Sequence, residues 1–140
     1  MNVASLAAQA QNSTGYAVDV WITMRLEPML KLWQGVGGHS NFFFSEEDAR
    51  EATGAYSGTK PYRFAETLWR LAQVEPNPTL SYRQEIAEFV VDIPVDAAVG
   101  QCLANRALGS GSVFQYYIPD WGNSIYETGR RFRFSAKTYP

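Results

Sequence analysis

An α+β domain built from two small packed sheets with flanking helices is what this sequence predicts, on three observations. Stretches of strand periodicity outnumber helical ones. The two clear helical patterns both fall between strands, in the first two thirds of the chain. No repeat, charge block or compositional break marks a second domain in 140 residues, a length that can bury a core on its own.

Residues 1–15 are small and polar and read as a flexible tail or linker ahead of one packed domain over 16–140. From 17 to 26 the chain alternates, with Val18, Val20, Ile22, Met24 and Leu26 on one side, which predicts a strand ended by Glu27-Pro28. A short extended segment over 30–34 runs into Gly35-Val36-Gly37-Gly38, where glycine permits a tight turn or a close approach of backbone. Asn41-Phe42-Phe43-Phe44 reads as a third strand. Ser45 then stands as the N-cap of an acidic first turn, for a helix ending near Gly54. A second helix is predicted over 61–74, with Pro61 in its first turn and Phe64, Leu68, Leu71 and Ala72 as its apolar stripe. Residues 85–93 read as a strand closed by Pro94, and Asp96 as the cap of a short helix through Asn105, which Gly100 weakens. Gly109-Ser110-Gly111-Ser112 leads into a strand over 113–118. After a turn over 119–123, Arg131-Phe132-Arg133-Phe134 alternates as a last strand.

Composition removes several kinds of chemistry. A formal charge of −2 and a pI near 5.4 argue against a general nucleic-acid binder. Cys102 and His39 are the only residues of their kinds, so no internal disulfide, Cys-rich zinc cluster or His pair can form. No apolar run approaches the roughly 18 residues of a membrane span, and the start lacks signal-peptide character. A nucleophilic triad would have to use His39, and no nucleophile-elbow pattern is present. Gly35, Gly37 and Gly38 lack the Lys-Ser/Thr of a phosphate loop. The aromatic share, 14%, suits both a core and a cleft for a planar ligand.

Two segments stand out. One runs from Leu32 through Gln34, Gly35, Gly37, Gly38 and His39 to Phe42-Phe43-Phe44-Ser45; the other runs from Gly109 through Gln115-Tyr116 to Ile118-Pro119. Together with Glu88-Phe89-Val90-Val91-Asp92-Ile93-Pro94-Val95, they resemble C-terminal toxin domains of bacterial polymorphic secretion systems with the ADP-ribosyltransferase-like fold. The likeness is to NAD-degrading members in particular, such as the tuberculosis necrotizing toxin, and covers about residues 17–121. It implies two roughly perpendicular sheets with NAD⁺ or NADP⁺ held between them as substrate, Ser45 on the nicotinamide-ribose side, and Gln115 at the ribose. The family's phosphate-binding Arg precedes the glycine turn. Gln34 stands near that place here, so the role passes to Arg25 or Arg63. The resemblance further implies a cognate immunity protein, a larger delivery protein N-terminal to the domain, and an effector acting in the target-cell cytoplasm.

The residue inventory fits that chemistry. Cleavage of the nicotinamide–ribose bond builds positive charge on the ribose. It needs phosphate donors, a flat platform and a group that orients the ribose, with no metal required. Phe43, Phe44, Trp69 and Tyr116 are candidate platforms, with Gln34, Gly35, His39 and Arg63 as further cofactor contacts. An amide at 115 cannot act as a general base, which favours water as acceptor, although Glu88 and Glu127 are carboxylates that would suit transfer to a protein or nucleic acid. Each residue also has a plainer reading: Ser45 as a cap only, Arg25 paired with Asp19 or Glu27, Arg63 solvated, Gln115 on a sheet surface. The cluster of Arg130, Arg131, Arg133 and Lys137 reads as a solvated strand edge. A ribonuclease using His39 and a non-catalytic aromatic-lined binding module are the rival functions.

Overall fold

The computed structural model describes residues 2–37, 40–56, 58–79 and 81–139. Its first element is a helix, α1 (Val3–Ser13), where the sequence predicts a flexible tail. The Asn2 side chain caps it, accepting from the Ser5 N–H at 2.8 Å. Its inward stripe is mostly alanine, with Ala7 fully buried against Ala98 and Tyr117. Alanine gives little apolar periodicity yet is the best helix former and allows close packing, so composition disguised the element.

Past α1 the chain is pinned by polar bonds rather than by a strand ladder. Buried Gln11 donates from Nε2 to Asp19 Oδ2 at 2.7 Å, while its Oε1 accepts from Asp19 N and Trp21 Nε1. The other Asp19 oxygen accepts the Leu103 and Ala104 N–H groups at 2.8 and 2.7 Å. The first strand therefore starts late, as β1 (Ile22–Leu26). Of the predicted core face only Leu26 is buried: Ile22 and Met24 on β1, an edge strand, and Val18 and Val20 ahead of it are exposed, Val20 at 82%.

The remaining elements are β2 (Lys31–Gly35), β3 (Phe42–Ser45), α2 (Glu46–Thr53), α3 (Ala65–Leu71), β4 (Glu85–Val91), β5 (Val95–Gln101), β6 (Phe114–Tyr117) and β7 (Ile125–Arg133). Ser45 accepts from Asp48 N as the α2 cap, and Gly54 closes that helix at φ 72°, both at the predicted positions. The predicted second helix shrinks to α3. The helix expected over 96–105 is instead β5, held between β1 and β6. That segment carries small residues whose conformation is set by strand pairing rather than by local preference.

Among the described residues the strands form one antiparallel ladder, β1-β5-β6-β3-β2-β4-β7, rather than two separate sheets. It cannot lie flat. Four strand spacings between β4 and β5 amount to about 19 Å, yet the connection from Val91 to Val95 reaches at most about 14 Å. The sheet curls instead. Leu26 and Val95 of one wing join Leu32, Phe43, Phe89 and Ile125 of the other in a single core. The opposite face packs Trp33, Phe44 and Ile86 beneath α2 and α3. β6 is fed by the glycine loop at 109–111. A Cβ at Gly109 would lie 2.0 Å from the Arg70 carbonyl oxygen, and one at Gly111 2.2 Å from that of Cys102, so larger residues are excluded.

Two outcomes follow from this packing. Asp19→Asn replaces an acceptor facing the Gln11 amide with a donor, and Gln11 cannot flip without losing Asp19 N and Trp21; a loss of about 2–3 kcal/mol is expected from the denaturation midpoint at unchanged slope. An undiminished midpoint would contradict the role of this node. Cys102 is 2% exposed and burial, with the Asp19 and Asp48 charges, pushes its thiol up to about 12. It is expected to react with a thiol reagent at neutral pH only on unfolding.

Candidate functional site

Strand register brings the two unusual segments together. Phe44 of β3 lies opposite Gln115 of β6, and Gly100 of β5 flanks Gln115 on its other side. Alternation then sends Gln115 to the helix-bearing face and Tyr116, opposite Phe43, to the other. The start of β6 is fixed by Asp48, whose Oδ2 accepts the Phe114 N–H at 3.0 Å and the Ser45 hydroxyl. Burial raises the Asp48 carboxyl above its usual range.

Gln115 sits where two lobes of a groove adjoin. The larger, about 390 Å³, is lined by Gln34, Gly35, Trp69 and Arg83 among others; the smaller, about 220 Å³, by Gln11, Thr14, Gln73 and Asn105. Tyr16, Ser40, Phe42, Val74 and Gln115 line both. Their combined size lies in the range of small-molecule sites. Gln115 Oε1 accepts from the Cys102 thiol at 3.6 Å, whereas its Nε2 has no protein partner among the described residues. That nitrogen is not buried, since among the described residues no buried side-chain N or O lacks a partner. An orienting donor thus faces the groove.

The smaller lobe has a different character. Gln11 is engaged with Asp19, Gln73 bonds Asn105 N and the Gly109 carbonyl, and Asn105 exchanges two bonds with the Ala17 backbone. Apart from the Gln115 amide at its mouth, these polar walls are internally satisfied, leaving the surfaces of Tyr16, Phe42, Ala72 and Val74. Such a lobe favours a neutral, flat group over an ion. In the larger lobe, Arg83 is the only Lys or Arg among the described lining residues. Among the described residues no three His, Cys, Asp or Glu side chains gather as metal ligands.

The predicted residues divide accordingly. Gln115, Gln34, Gly35 and Trp69 meet at the groove. Gln34 donates both amide hydrogens inward, to Ser40 O at 2.8 Å and Phe42 O at 3.0 Å, and so holds the bend. Trp69 packs edge-on to Phe44 and donates to the Arg83 carbonyl at 2.7 Å. The others are elsewhere. Phe44 is core; Phe43 and Tyr116 belong to the far face, where Phe43 packs on Phe89 and Trp121. Ser45 is engaged in capping. Arg25 pairs with Asp96 on the exposed edge, not with Asp19 or Glu27, and Arg63 lies over the Phe64 ring. His39 lies outside the described residues. Glu88, buried, bonds Thr128 and Arg130 three strands from Gln115, and Glu127 pairs with Arg131. Tyr16, Phe42 and Arg83 are the lining residues that local pattern does not single out as ligand contacts. No motif surrounds Tyr16 or Arg83, and Phe42 has the pattern of a core strand residue.

The fold has counterparts among solved structures. The chain is similar to the structure described as "Rhs1-CT in complex with cognate immunity protein RhsI1", with a TM-score of 0.82 and 22% identity over 96% of this chain and 97% of that one. It is also similar to Tne2 in complex with Tni2 (TM-score 0.52, 11% identity, 84% and 94% covered). For Tse6 in complex with Tsi6 the TM-score is 0.49, at 14% identity over 90% and 93%. No curated protein sequence matches the chain. The model of the Rhs1 C-terminal toxin domain matches residues 1–120. The chain thus belongs to the Rhs1 C-terminal toxin domain family, a C-terminal domain of polymorphic toxins.

Proposed function

We propose that this toxin domain hydrolyses NAD⁺, or NADP⁺, at the nicotinamide–ribose bond, on an ADP-ribosyltransferase-like arrangement of its strands. The observation that carries the reading is Gln115 at the junction of a two-lobed groove, its Nε2 without a partner among the described residues. In this reading the nicotinamide ring enters the smaller lobe, whose walls favour the neutral nicotinamide that leaves over the pyridinium of the bound substrate, and the rest of the dinucleotide extends along the larger one. The C–N bond breaks with its electron pair leaving on nicotinamide. Water adds to the ribose carbon and releases its proton to solvent, so the products are nicotinamide, ADP-ribose and a proton. Gln115 orients the ribose by hydrogen bonding, since an amide donates and accepts without titrating. The groove contributes positioning, holding the ribose against the Gln115 side chain.

Water rather than a macromolecular acceptor is favoured because Glu88 and Glu127 are paired with arginines away from Gln115. We further infer a delivered effector, N-terminally joined to a larger delivery protein, that acts in the target-cell cytoplasm and is neutralised by an immunity protein covering the groove. The family match supports a delivered toxin domain, and the immunity complexes of the structural neighbours support the existence of an immunity partner.

Purified domain incubated with NAD⁺ is expected to release nicotinamide and ADP-ribose in equal amounts, and absence of product at micromolar enzyme would overturn the reading. Gln115→Ala is expected to lower kcat at least about 100-fold, whereas Tyr116→Phe on the far face leaves it unchanged. Because an amide does not titrate, kcat is expected to be level between about pH 6 and 8; a profile following an imidazole would favour chemistry through His39 instead.

A further inference from the structure

We infer that Arg83 is the diphosphate anchor of the groove; this rests on the dinucleotide reading. Arg83 lies between α3 and β4, a segment whose local sequence carries no phosphate-binding pattern. Its backbone is held from two sides. Trp69 Nε1 donates to the Arg83 carbonyl at 2.7 Å, and the next residue, Gln84, exchanges bonds with the Phe134 backbone at 2.8 and 3.0 Å.

The side chain lies across the bend at 35–37. A Cβ on Gly35 would come within 2.7 Å of Arg83 Cδ, and one on Gly37 within 2.9 Å of Nη1. Nη1 donates to the Val36 carbonyl at 3.2 Å. Gly37 moreover has φ +102°, which side-chain-bearing residues rarely adopt. Two glycines therefore act as a saddle for one guanidinium. The bend leaves room for the arginine rather than wrapping a phosphate itself.

The charge on that saddle is unbalanced. Among the described residues Arg83 has no carboxylate within 4 Å, which it shares with Arg50, Arg63, Arg70, Arg106 and Arg133, but it is the one of these that lines the groove; Glu75, in the same lobe, is not paired with it. The Val36 carbonyl uses one of five guanidinium N–H donors, leaving four without a protein partner among the described residues. A half-buried guanidinium without a counter-charge favours an anion, and its planar fork matches phosphate oxygens. Arg83 and Gln115 line the same lobe, so a diphosphate at Arg83 sets the direction of the substrate. The adenylate end lies in the larger lobe, and the ribose at Gln115 hands the nicotinamide to the smaller lobe.

The test uses ADP and adenosine, which differ by the diphosphate, in calorimetric titrations of the full chain. Wild type is expected to bind ADP at least about tenfold more tightly than adenosine. Arg83→Gln is expected to remove that preference while leaving adenosine affinity in place; Arg83→Lys retains part of it. Arg25→Gln and Arg63→Gln are expected to keep it whole. Should Arg83→Gln unfold, the unsubstituted chain still decides: ADP, and not adenosine, is expected to protect Arg83 from phenylglyoxal, read by peptide mass spectrometry. A residue that merely clips the bend would weaken both ligands equally, and that result overturns the inference. So does an ADP affinity no better than that of adenosine. Arg83-dependent ADP binding without NAD⁺ turnover supports the anion site and overturns the hydrolase reading alone. Turnover with a KM indifferent to Arg83→Lys and Arg83→Gln overturns the anchor and leaves hydrolysis standing.

Discussion

The near-contact between the glycine loop at 109–111 and the end of α3 is the constraint on which the groove depends. A methyl group at Gly109 would overlap the Arg70 carbonyl, and one at Gly111 that of Cys102. Only because the backbone passes this closely does β6 enter the middle of the sheet between β5 and β3 with Gln115 on the helical face. Buried Gln73 reinforces the contact by bonding both Asn105 N and the Gly109 carbonyl. The same side chain thus ties the end of α3 to the two loops that border the smaller lobe.

Curling of the ladder has a second consequence. It directs the largest aromatic side chains of β3 to opposite ends of the energetics. Phe43 and Phe89 stabilise the concave core, Phe44 and Trp69 the layer under the helices, and of the β3 rings only Phe42 remains half-buried at the groove. Most of the aromatic surplus is therefore packing, worth about 1.5–3 kcal/mol for each fully buried ring. Polar side chains, few and individually placed, give the groove its chemical character.

Legibility in the sequence tracks how local each determinant is. Ser45 as cap, Gly54 as stop, and β3 and β6 as strands follow from neighbours within a few residues, and those expectations agree with the structure. Their alternation even gives the face of Gln115. Helix α1 is not legible because an alanine stripe is nearly silent in hydropathy while packing well, and β5 is not because pairing on both sides overrides a weak helix signal. Arg83 was not legible at all. Its place depends on a carbonyl 47 positions earlier in the chain and on the two glycines around it, a relation that only the folded sheet creates.

A crystal structure of the domain with a non-hydrolysable carbocyclic NAD⁺ analogue tests the central claim most directly. The sugar ring is expected against the Gln115 amide, the diphosphate on Arg83 and the nicotinamide between Tyr16, Phe42 and Val74. Density for the analogue on the far face, beside Tyr116 and Trp121, with the groove left to solvent, would contradict it.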